Sequence, residues 1–175
     1  YPGFGRDRGR ATLRGLGAGA LAAYDWVRRR AHGIPVVVYG FSMGGAAALH
    51  VARQRADAPP AALVVDRGPN IPRLVAGRFG WWNAFVIAGP VLASLPRVVH
   101  GRANARRAGD VPALFLVGRS DRLARPRNVE TIVSAYAGPK LAVWFDGDHG
   151  AWIDGEVPGV REGMAWLMTA AGVRD

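Results

Sequence analysis

Apolar positions along this chain fall into two rhythms. Leu13, Leu16, Leu21, Tyr24 and Val27 lie on or near one helical face, behind Thr12, which can cap a helix. The spacing predicts a helix to about Arg30, stopped by His32-Gly33. Pro35 to Tyr39 is a continuous Val-rich run and reads as a buried strand. An Ala-rich helix follows to about Arg55, then a turn over Asp57 to Pro60, then a second buried strand over Ala61 to Val65 that ends at Asp66. Further on, Pro112 to Val117 predicts a third strand, Pro126 to Tyr136 a helix, Leu141 to Phe145 a fourth strand, and Val157 to Ala171 a closing helix. Strands alternating with helices imply an α/β fold: a parallel sheet with flanking helices and right-handed crossovers.

The rhythm breaks between Gly68 and Asp110. Pro69, Pro72, Pro90 and Pro96 interrupt it, and Phe79, Trp81, Trp82 and Phe85 make it aromatic. Residues 69–109 are therefore expected to form a small, cap-like helical insertion in a single domain spanning 1–175. The Phe79 to Leu95 stretch approaches the length of a membrane span, but Asn83, Gly89 and Pro90 interrupt it. It reads as a helical hairpin over a pocket. The expectation is no membrane span, with interfacial contact left open for the cap.

Composition changes little. Half of the chain is hydrophobic and 21% is charged, as in a globular domain. The net charge of +10 invites a nucleic-acid partner. However, the charge is almost all arginine and is scattered, and its longest run, Arg28-Arg29-Arg30, sits where a helix C-terminus favours positive charge. No nucleic-acid partner is expected. There is no cysteine, which excludes disulfides, thiolate metal sites and a Cys nucleophile. No His, Asp or Glu spacing suggests a metal, so no cofactor is expected. No leader sequence is evident, and a cytoplasmic location is the default.

The candidate chemistry sits at predicted strand ends, where an open parallel sheet gathers its functional groups. Gly40-Phe41-Ser42-Met43-Gly44 is a G-x-S-x-G sequence between a strand and a helix. Gly40 and Gly44 are expected to remove side chains that would collide as the helix folds back. Asp121 follows the third strand in Gly118-Arg119-Ser120-Asp121, and His149 follows the fourth in Gly147-Asp148-His149-Gly150. Ser42 would be the nucleophile, His149 its base and Asp121 the acid orienting the imidazole. The Met43 N–H would face the oxyanion. Asp66 is the competing acid, since it also ends a strand, and Asp146 and Asp148 neighbour the histidine. Ser42 can also be read as an ordinary helix cap and His149 as a turn residue. His50 reads as a helix-face residue and His100 as part of the insertion.

These segments resemble the α/β-hydrolases. The resemblance rests on Gly40-Phe41-Ser42-Met43-Gly44-Gly45, Val117-Gly118-Arg119-Ser120-Asp121 and Gly147-Asp148-His149-Gly150. The opening Tyr1-Pro2-Gly3-Phe4-Gly5-Arg6 is similar to the family's loop after its fourth strand, with Asp7 where a Ser is usual. It is closest to the small-cap bacterial esterase and serine-aminopeptidase-like branch, which also resembles the eukaryotic protein depalmitoylases. The resemblance implies a serine hydrolase acting on a small acyl substrate; Trp81 and Trp82 read either as packing of the cap on the sheet or as a sign of an apolar acyl group. It also implies that this chain supplies the last four strands of an eight-stranded sheet, lacks the loop giving the second oxyanion donor, and leaves the strand before Ser42 at an edge. The expectation is a C-terminal part of a longer protein. The alternatives are a compact variant with its own edge cover and a catalytically silent binding module.

Overall fold

The computed structural model describes residues 3, 5, 6, 8–83 and 89–173, leaving out the side chains of 78–83. The opening loop, the Trp81 and Trp82 side chains and the turn of the expected hairpin lie partly or wholly outside the described residues.

Helix α1 spans Leu13–Arg30, with Thr12 Oγ1 accepting from the Gly15 N–H at 2.9 Å. Strand β1 is Val37–Phe41, α2 is Met43–Gln54 and β2 is Ala62–Asp66. Next come α3 (Ile71–Asn83), α4 (Gly89–Ser94), a 3-10 turn at Arg97–Val99 and α5 (Gly101–Ala105). The chain closes with β3 (Ala113–Gly118), α6 (Pro126–Val133), β4 (Lys140–Phe145) and α7 (Val160–Ala170). The four strands are parallel and lie in chain order, β1-β2-β3-β4.

The two central strands are buried on both faces, as their unbroken apolar runs require. Alternation decides which side each residue serves. Leu63 and Val65 pack with Phe115 against α2 and α6, whereas Ala62 and Val64 pack with Leu114 against Leu167 of α7. A third cluster joins Leu16 of α1 to Ala47 of α2 and to Val98 and Val99.

Strand β1 departs from its reading as a buried strand. It starts at Val37 and runs through Gly40 to Phe41, and Tyr39 and Phe41 are exposed. Among the described residues it has one neighbour, β2, so it forms the sheet edge. The valine run reports β propensity and does not count neighbours.

Candidate active site

The Ser42 backbone is the most strained feature of the site, with φ 52° and ψ −121°. A non-glycine residue reaches such angles only where its surroundings over-determine them. Here β1 and α2 leave no alternative. The Ser42 N–H donates to the Asp66 carbonyl at 2.8 Å, continuing the β1–β2 ladder, and the Ser42 carbonyl accepts from the Gly45 N–H at 2.9 Å, starting the helix. The turn is so tight that a Cβ on Gly40 would sit 2.2 Å from the Gly44 carbonyl oxygen. Gly45 has a parallel role, since a Cβ there would meet Val65 of β2 at 3.0 Å and the Gly68 Cα at 3.1 Å. The Ser42 side chain makes no capping bond to α2. Its Oγ lies 3.0 Å from His149 Nε2.

The other histidine nitrogen, Nδ1, lies 2.7 Å from Asp121 Oδ2. Asp121 is 2% exposed, and its second oxygen accepts from the Leu123 and Ala124 N–H groups, both at 2.8 Å. Both of its carboxylate oxygens are thus held by protein groups. The loops bearing Asp121 and His149 are packed backbone to backbone. A Cβ on Gly118 would lie 2.6 Å from the Gly147 carbonyl oxygen, which accepts from the Ser120 N–H. The Phe41 ring lies 5.1 Å from the imidazole, centroid to centroid. Met43 opens α2, where the first N–H groups have no partner within the helix.

Asp66, the competing acid, is used otherwise. Its carboxylate accepts two bonds from the Arg67 guanidinium, at 2.8 and 3.0 Å, and a third from the Tyr39 hydroxyl. Burial, then the Asp66 hydrogen bond and charge, push the Tyr39 hydroxyl up to about 12. Arg67 is the residue that sequence reasoning missed. It is buried, it sits at φ 47°, and its Nη1 donates to the Asp148 carbonyl at 3.0 Å and the Ala151 carbonyl at 2.7 Å. Its guanidinium also covers the Phe41 ring at 4.8 Å. One side chain therefore ties the end of β2 to both flanks of His149. The only hint in the sequence is an arginine directly after a strand-end aspartate, and arginines are too common here to single it out.

The remaining candidates lie apart. Asp146 pairs loosely with Arg119 at 3.5 Å on the surface, and the Asp148 side chain accepts from the Gly150 N–H. His50 is buried in α2, and His100 contacts the Leu95 carbonyl. His32 follows the end of α1 at φ 47°.

No family model matches the chain. An uncharacterized protein of Mycobacterium tuberculosis is 31% identical over 151 residues, covering 84% of this chain and 50% of that protein. The chain thus spans about half the length of this relative. Lysophosphatidylserine lipase ABHD12 of Danio rerio is 32% identical over 68 residues, covering 38% of this chain and 18% of that protein. Among solved structures, an acetyl xylan esterase from a Paenibacillus species superposes with TM-score 0.66 at 20% identity, covering 87% of this chain and 51% of that one. A Paleococcus ferrophilus monoacylglycerol lipase superposes with TM-score 0.64 at 17% identity, covering 99% of this chain and 82% of that one.

Proposed function

We propose, on the premise that this chain has the α/β-hydrolase fold, that it bears the nucleophile, base and acid of a serine hydrolase. The observation behind this reading is one imidazole bridging two groups, with Nε2 3.0 Å from Ser42 Oγ and Nδ1 2.7 Å from Asp121 Oδ2. Those are the distances at which a base can take a serine proton while an acid holds its tautomer.

Ser42 Oγ attacks an acyl carbon as its proton passes to His149 Nε2. The new O–C bond gives a tetrahedral oxyanion, for which the Met43 N–H at the start of α2 is the proposed donor. One such donor contributes about 3–4 kcal/mol to the transition state. The imidazolium, stabilised by Asp121, then returns its proton to the departing alcohol, thiol or amine as that bond breaks. Water, deprotonated by the same imidazole, releases the acid and restores Ser42. Three named relatives (a lysophospholipid lipase, a xylan esterase and a monoacylglycerol lipase) are ester hydrolases, which supports an acyl substrate. For this chain the class stays at ester, thioester or amide.

On this reading a fluorophosphonate probe labels Ser42 of the intact protein, and Ser42→Ala abolishes labelling and lowers kcat about 10⁶-fold. Asp121→Asn keeps the shape but favours the wrong tautomer, lowering kcat about 10⁴-fold. An unlabelled Ser42 in folded protein would refute the proposal.

The second reading, a silent binding module, is favoured by the edge position of β1. By family resemblance, the second oxyanion donor comes from strands beyond that edge. Turnover of p-nitrophenyl acetate by the 175-residue chain, lost in Ser42→Ala, would exclude it.

A further inference from the structure

Between α3, α5 and α6 lies a cleft of about 640 Å³ whose walls bring together Arg73, Arg102, Arg106 and Arg127. The four come from three elements. Arg73 belongs to α3, Arg102 lies in α5 with Arg106 at its end, and Arg127 is in the first turn of α6. Arg102 and Arg106 are four residues apart and so share a helix face, where like charges oppose each other. Arg127 stands at the end of α6 where the helix dipole disfavours a cation. Glu130 is the single acid on the wall. None of the four guanidinium groups takes part in an ion pair among the described residues, where the pairs go to Arg55, Arg67, Arg119 and Arg161. Among the described residues, folding has gathered four arginines here with Glu130 as the one acid on the wall.

A second cleft, of about 750 Å³, shares Arg73 and Arg127 with the first, adds Arg122 and Arg125, and has apolar wall from Leu74, Val75 and Leu123. It adjoins the loop of Asp121, whose Oδ1 accepts from the Leu123 N–H. Neither cleft is lined by Ser42 or His149. The pair forms one arginine-rich trough, whose second half also carries an apolar wall.

We infer that the arginine cleft binds a phosphate group, borne by a small soluble ester or by a lipid headgroup. The choice of phosphate follows from counting. A carboxylate offers two oxygens and one negative charge, which a single guanidinium fork can satisfy. A phosphate monoester offers three oxygens and nearly two charges, enough for several forks at once. The Leu74, Val75 and Leu123 wall of the second cleft would accept the non-polar body of the same molecule.

The test is calorimetry on the intact protein carrying Ser42→Ala, so that binding is read independently of hydrolysis. Inorganic phosphate and glycerol 3-phosphate should bind, and the double change Arg102→Gln, Arg127→Gln should weaken both by about tenfold or more. The control pair Arg28→Gln, Arg29→Gln removes the same net charge from exposed positions at the end of α1 and should leave binding unchanged. Sedimentation with phosphatidylcholine vesicles, with and without phosphatidic acid, whose headgroup is a phosphate monoester, separates the two sources. Cosedimentation that needs both phosphatidic acid and the cleft arginines assigns a headgroup. Phosphate binding without cosedimentation assigns a soluble ester. The inference is overturned if neither phosphate nor vesicles bind, or if the control pair loses binding as fully as the cleft pair.

Discussion

Arg67 shows how much one side chain can determine at a site it does not enter. It is 5% exposed, its charge is matched by Asp66, and its remaining donors hold the carbonyls of Asp148 and Ala151 on either side of His149. It is a positioning residue, acting on the imidazole through the backbone. Arg67→Met would leave the Asp66 carboxylate buried with only the Tyr39 hydroxyl, at a cost of about 3–5 kcal/mol. The His149 loop would lose its tie, and a misplacement of about 1 Å lowers kcat roughly 10²-fold. If the role is positional, kcat falls while KM holds, and Arg67→Lys fails to rescue because an ammonium lacks the planar fork. Denaturant titration together with steady-state kinetics would separate the two effects. A fall in stability with unchanged kcat would assign Arg67 to the fold alone.

Elements matter here through the places where they meet. The β1–α2 junction leaves no room at Gly40, so Gly40→Ala must push the Gly44 carbonyl and open the turn. The expected cost is about 1–3 kcal/mol, with fluorophosphonate labelling of Ser42 slowed even in the folded fraction. Within α2, His50 is buried with its Nδ1 unpartnered among the described residues. Burial first, and then the charges of Arg53 and Arg55, hold its pKa below the ordinary histidine value of 6.5. The unfolded chain therefore binds a proton that the folded chain refuses. Stability is fully present above pH 6.5 and is lost as pH falls from there through the lowered value. His50→Gln removes this dependence, so chemical denaturation at pH 7.5 and 5.5 should show a smaller difference in the variant than in the parent. An equal difference would mean that another group titrates. Helix α1 is joined to the end of α2 by a paired contact of Arg55 with Asp25, at 2.7 and 2.6 Å.

At the scale of the molecule, the edge is the consequential feature. Among the described residues, strand β1 has no strand paired on one side, and Ile34, Tyr39 and Phe41 are 71%, 59% and 42% exposed. Such an edge is a template for pairing with another chain. The 175-residue chain studied alone should therefore self-associate, and Ile34→Lys with Tyr39→Lys should shift it toward monomer in sedimentation velocity. A strictly monomeric parent chain would count against this.

The sequence by itself determined the order of strands and helices along the chain, the parallel sheet and the positions of Ser42, Asp121 and His149 after the first, third and fourth strands. Each of these follows from local information: apolar periodicity, glycines at a tight turn and the polar residues beyond an apolar run. Boundaries moved by one to three residues, because the ladder that ends a strand depends on its neighbour. Only the tertiary structure decided which acid faces His149. Asp66 and Asp121 both end strands, but β3 adjoins β4, so the loop of Asp121 lies against that of His149, while Asp66 is held by Arg67. The exposure of β1, the clamp made by Arg67 and the gathering of four arginines in one cleft were illegible for the same reason. Each depends on residues far apart in the chain, and periodicity records nothing about what a residue will meet across the fold.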